Sequence, residues 1–164
     1  MEMIFNLDDI FQEILFKGEY AYECIFLISV SLFFTILFLQ SGIDKIVSFA
    51  GNLTYFQNHF KNTFLKNQVK FLLISITLLE CLTGFLFSLA LIYLIIAGGD
   101  NGFGILTALE VFYFPALVFA FITLCSLFFG QRVAQDYVGA VNLGIYFLIA
   151  LIAFSLPVLF LELP

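Results

Sequence analysis

The sequence predicts an all-α, membrane-embedded four-helix bundle with amphipathic interfacial helices at the N-terminus and between helices one and two. Three observations predict it. Hydrophobic residues make up 63% of the 164-residue chain and charged residues 11%, against about 25% charge in an ordinary soluble domain. A chain of this size has too little interior to hide that much apolar surface, its 24 Phe included, in one water-facing core. Four apolar runs are each long enough for the roughly 20 residues that cross a bilayer. What lies between them is too short for a water-soluble domain, so 1–164 reads as a single transmembrane domain.

Residues 1–18 carry an apolar stripe of Ile4, Leu7, Phe11, Ile14 and Leu15 opposite Asp8, Asp9 and Glu13. Anionic headgroups favour basic amphipathic helices, so an acidic one gains nothing from lipid charge. Two readings follow: a helix lying on the bilayer, or a docking element, residues 1–17, for a membrane-protein partner. The start lacks a positively charged n-region, so no cleavable signal peptide is expected. The first span covers about 21–40. The link from Ser41 to Lys70 places Ile46, Phe49, Leu53, Phe56, Phe60 and Phe64 at steps of three and four. That spacing predicts an interfacial helix over 46–66, with Lys61, Lys66 and Lys70 reaching for headgroups and His59 at their level.

The second span covers about 71–97 and the third 104–129. The Gly-rich stretch between them reads as a tight turn, which makes an antiparallel hairpin. In the third span Pro115 removes a backbone donor and frees the Val111 carbonyl, predicting a kink near Glu110. Residues 131–136 form a short polar joint with Arg132 and Asp136 at i,i+4 spacing. The fourth span covers 139–163, and Pro157 is expected to break it in the same way.

Charge bounds function and orientation. The net charge of −6 offers nucleic acid nothing to bind. Lys45, Lys61, Lys66, Lys70 and Arg132 fall in the first and third connections, against Lys17 alone elsewhere. The positive-inside rule then puts those connections in the cytoplasm and both termini outside. Cys24, Cys81 and Cys125 form no CxxC, and no His/Cys/carboxylate cluster has metal-ligand spacing, so no metal site is expected. His59 is the only histidine, which excludes bis-His haem ligation within the chain.

An ionisable group inside a span costs several kcal/mol in hydrocarbon and is the best functional lead. Glu80 lies about 15 Å along the second span from Lys70 at 1.5 Å per residue. Thr77, Glu80, Gly84 and Ser88 share one small, polar face, which should point into the bundle. If the first helix continues past Gly42, Lys45 reaches down toward Glu80. The candidate buried polar site is therefore Lys45, Glu80, Thr77, Gly84 and Ser88. It is either an ion pair that fixes helix register or a proton-carrying or ligand-binding carboxylate. Secondary candidates are Glu110 with Thr107, beside the Pro115 kink, and Asn142 with Tyr146, a polar strip on the fourth span.

Gln40-Ser41-Gly42-Ile43-Asp44-Lys45-Ile46 at the end of the first span and Leu79-Glu80-Cys81-Leu82-Thr83-Gly84 inside the second form an ordered pair of motifs. A Gly-x-x-Lys followed by a Glu-x-x-x-Gly resembles the DoxX family of small four-helix membrane proteins, by layout over roughly residues 25–155. The resemblance implies a bacterial cytoplasmic membrane and a place as accessory subunit of an oxidoreductase complex. It also implies a quinone or lipid ligand, although the residues themselves make no cofactor evident. The acidic N-terminal helix is an addition to the family pattern. The family's usual orientation puts the first link outside, opposite to the charge count, which is followed here. The leading expectation is a non-catalytic subunit or assembly factor of a larger membrane complex. The alternative is a quinone- or lipid-handling component with Glu80 and Lys45 lining a pocket. A transporter ranks last, because no inverted repeat is visible.

Overall fold

A computed structural model of the chain describes residues 21–97 and 102–160. The expected N-terminal helix (1–18), most of the tight turn (98–101) and residues 161–164 lie outside the described residues. The elements are α1 (Ala21–Val47), α2 (Phe49–His59), α3 (Val69–Ala97), α4 (Gly102–Ala108), α5 (Phe114–Val133) and α6 (Tyr137–Phe160). A π-helical turn, Leu109–Tyr113, joins α4 to α5. Among the described residues there is no strand. Four helical stretches are long and apolar enough to cross a membrane: Tyr22–Val47, Val69–Ile96, Phe103–Val133 and Tyr137–Leu159. The protein is a multi-pass, all-α four-helix membrane bundle.

α1 and α3 lie antiparallel along their whole length. Cys24 Sγ sits 3.9 Å from the Leu94 carbonyl, the Phe34 and Phe87 rings stack at 4.9 Å, and Lys45 meets Glu80. α3 also packs on α5, and α6 packs on α5 and touches α1 more lightly. The core runs through Leu27, Phe34 and Phe38 of α1, Phe87 and Leu94 of α3, and Leu109, Tyr113 and Leu117 across the π turn and α5. Outward-facing Ile36, Leu78, Val118 and Ile145 are exposed, as suits helices whose solvent is lipid.

Several boundaries differ from the sequence reading, each for a local reason. α1 runs seven residues beyond Gln40, to Val47, because its polar end finds partners inside the bundle. The 46–66 helix is shorter, Phe49–His59. Beyond it the chain makes successive i→i+3 turns, with Thr63 N–H bonding the Phe60 carbonyl, Lys66 the Thr63 carbonyl and Gln68 the Leu65 carbonyl. Ile46 and Phe64 therefore leave the expected stripe and are exposed, while Phe60, Leu65 and Val69 form a small core of their own. The Arg132/Asp136 spacing is not helical, since α5 ends at Val133 and Gln135 has φ 62°. Asp136 instead accepts the Gly139 N–H at 2.9 Å, and Arg132 lies 4.7 Å over the Tyr137 ring.

The two prolines behave differently from one another. Before Pro115 the helix widens into the π turn, in which the Phe114 N–H reaches the Leu109 carbonyl; π-helix occurs mostly as such single turns inside α-helices. Pro157 does not break the last span; it stays inside α6. It leaves the carbonyl one turn back, that of Ala153, without its helical donor. The buried Tyr113 hydroxyl donates to that carbonyl at 3.0 Å.

Candidate functional site

Two glycines build the site. A Cβ on Gly84 would lie 2.7 Å from the Leu39 backbone nitrogen, and one on Gly42 would lie 2.6 Å from Cys81 Sγ and 3.2 Å from the Cys81 nitrogen. Each glycine thus faces the backbone of the opposite helix, and the helices come closer than any side chain there would allow. Gly42 is one turn from Lys45 and Gly84 one turn from Glu80, so the close approach brings the two charged side chains together.

Lys45 Nζ stands 2.9 Å from Glu80 Oε1 and 2.8 Å from Oε2, straddling the carboxylate. It also donates to Ser41 Oγ at 2.7 Å and the Ser41 carbonyl at 3.3 Å. The Ser41 hydroxyl in turn donates to Glu80 Oε1 at 3.0 Å. Glu80 is 1% exposed and Lys45 12%. The result is a three-residue cluster with its charges compensated and its donors used. Oε2, which has the ammonium beside it and no aligned hydrogen bond, is the least saturated atom.

Thr77 and Ser88, on the same expected face, do not join the cluster. Thr77 is buried and its hydroxyl donates to the Leu73 carbonyl at 2.7 Å; the half-buried Ser88 donates to the Gly84 carbonyl at 2.8 Å. Both bonds stay within α3. Phe85 points outward, 54% exposed. Sequence reasoning passed over Ser41 as a partner, although its i,i+4 spacing from Lys45 was available as a signal. It also passed over the Thr83–Thr123 hydroxyl contact, 3.1 Å across α3 and α5.

The secondary candidates do not form one site. Glu110 is exposed on the π turn, and the Thr107 hydroxyl donates to Phe103. Asn142 is exposed on α6, while the half-buried Tyr146 ring sits 6.4 Å from Phe33. His59 is half-buried rather than free at the headgroups: its Nε2 is 3.1 Å from Gln131 Oε1 and its ring stacks on Tyr55.

Two cavities flank the cluster. One, of about 210 Å³, lies between α2, α3 and the end of α5, and includes neither Lys45 nor Glu80 in its lining. The other is an open groove between α1 and α6, which Gln40, Ser41, Asp44 and Tyr146 line. Among the described residues, no three His, Cys, Asp or Glu side chains are grouped to hold a metal ion. Comparison with protein-family models, with curated proteins and with solved structures finds no match to this chain.

Proposed function

We propose that this multi-pass membrane protein is a DoxX-like, non-catalytic subunit or assembly factor of a larger membrane complex. The closure of the Ser41–Lys45–Glu80 cluster carries this reading. A carboxylate that exchanges protons or ligand needs an approach; this one is 1% exposed, with the Lys45 ammonium against both oxygens and the Ser41 hydroxyl on Oε1. A buried, compensated pair with a glycine on each side is what fixes the register of two helices. The acidic stripe of residues 1–17 supports a membrane-protein partner as its target. Affinity purification in mild detergent tests the proposal. Membrane subunits should co-purify in fixed ratio, and the double variant Lys45→Met/Glu80→Gln should keep them. A lone protein that carries bound quinone overturns it.

A second reading is a quinone- or lipid-handling component of a membrane oxidoreductase. The α1/α6 groove favours it, because Ser41 lines that groove and its hydroxyl touches Glu80. Under this reading the double variant folds and assembles but loses redox activity. The family resemblance supports a bacterial cytoplasmic membrane, and the basic residues clustered on the α2 side support that side facing the cytoplasm. In a background without native cysteines, Asn6→Cys should react with an impermeant reagent in whole cells and Lys61→Cys should not. Reaction at 61 alone reverses the orientation.

A further inference from the structure

We propose that the cavity between α2, α3 and α5 binds one acyl chain of an anionic glycerophospholipid whose phosphate is held by Lys61, Lys66 and Lys70. The walls are apolar, with Phe56 and Phe60 from the α2 side, Leu72 and Ile76 from α3, and Leu127 and Phe129 from α5. Its volume, about 210 Å³, falls below the roughly 300–1,000 Å³ of pockets that enclose drug-sized molecules. At that size it holds a segment of one acyl chain rather than a whole lipid. Ser75 and Ser126 interrupt the walls, and the larger polar side chains, His59 and Gln131, meet at 3.1 Å. An amphiphile satisfies that mixture: hydrocarbon for the apolar walls, an oxygen-bearing head for the polar groups.

The neighbouring lysines supply the sign of the head. Phe60, Leu65 and Val69 line the cavity, and each is followed directly in sequence by a lysine. Those three lysines are exposed, while their neighbours are buried against one another. No acidic residue occurs between Lys45 and Glu80, and Lys45 is occupied inside the bundle. In a chain of net charge −6, this is a local excess of positive charge on the segment that supplies Phe60, Leu65 and Val69 to the cavity wall. Asp136, on the next connection, is engaged by the Gly139 N–H. Several exposed ammonium groups on one short segment suit a phosphate, and each basic residue near a bilayer is worth about fivefold in affinity for anionic lipid.

The test is native mass spectrometry of the full chain taken from bilayers of equal phosphatidylglycerol and phosphatidylcholine with the same acyl chains. One phosphatidylglycerol should stay bound per chain, preferred over phosphatidylcholine by at least about tenfold, a figure that allows for screening of three lysines. Ile76→Phe and Ser126→Phe fill the cavity from opposite walls, and each should abolish the retained lipid. Lys61→Gln/Lys66→Gln/Lys70→Gln alters only exposed side chains, so it tests the site even if a filled variant fails to fold. It should retain a lipid but lose the headgroup preference. Equal retention of both lipids by the wild type overturns the proposal, as does undiminished phosphatidylglycerol in the folded, filled variants. A retained molecule without phosphate overturns it as well.

Discussion

The α1–α3 and α5–α6 interfaces join helices of similar length by opposite means. Between α1 and α3 the backbones touch at Gly42 and Gly84, and a charged cluster closes one end. Between α5 and α6 rings keep the helices apart: Phe114 packs on Phe154 at 5.7 Å and Phe121 on Phe147 at 5.4 Å, with Ala150 and Ala153 filling between. One neutral hydrogen bond, from Tyr113 to the carbonyl that Pro157 leaves free, spans the bundle there. The first interface has few ways to be wrong, because an unpaired charge or an added Cβ is costly. The second tolerates small shifts, since ring contacts degrade gradually. The bundle thus has one interface that sets register and one that adapts to it.

Breaking the ion pair should have the largest effect. Glu80→Gln and Lys45→Met each leave a buried partner uncompensated, at a cost of about 3–5 kcal/mol. Thermal unfolding in detergent should show both losses, and the double variant should recover most of the stability. Additive losses would mean that the two groups act separately. Gly84→Leu comes next. Its side chain meets the Leu39 backbone, which cannot rotate away, and overpacking of this kind costs about 1–3 kcal/mol or more. A normal melting temperature would place that face against lipid.

How much of this was legible in the sequence follows from the same contrast. Charges within apolar runs are rare, so Lys45 and Glu80 stood out, and small residues one turn away indicated which faces meet. The four spans were legible because their composition leaves no alternative. Tyr113 was not: nothing local separates it from the chain's other tyrosines, and its role depends on a proline forty-four residues later. The sequence does imply that Pro157 strands the Ala153 carbonyl, but the donor that reaches it is fixed only by packing. The 46–66 stripe misled for a related reason. Its periodicity continues past His59, yet the Thr63 hydroxyl donates to the Phe60 carbonyl and accepts from the Leu65 N–H, favouring turns over helix.

The adaptable interface offers a finer test. Tyr113→Phe should cost about 1–3 kcal/mol by leaving a buried carbonyl unsatisfied. In a Pro157→Ala background the restored helical N–H can serve that carbonyl, so the same change should cost less. Equal costs in both backgrounds, measured by denaturation in detergent, would unlink the tyrosine from the proline. The smallest effect belongs to the Thr83–Thr123 contact, where Thr83→Val should cost about 0.6 kcal/mol, the average for hydrogen bonds between membrane helices. A loss several times larger would move α3–α5 into the register-setting class with α1–α3.

The order of Lys45 and Glu80 along the chain bears on how the protein is made. An acidic side chain near the centre of a lone helix adds about 2.5–3.5 kcal/mol to its insertion into the bilayer. Lys45 is synthesised before Glu80, near the end of the helix that precedes it as a span, so the ammonium is already at the membrane when the carboxylate arrives. The two spans are consecutive and antiparallel, and they can leave the translocation machinery as a hairpin whose charges neutralise one another. On that route the contact that closes the folded α1–α3 interface also lowers the cost of inserting α3.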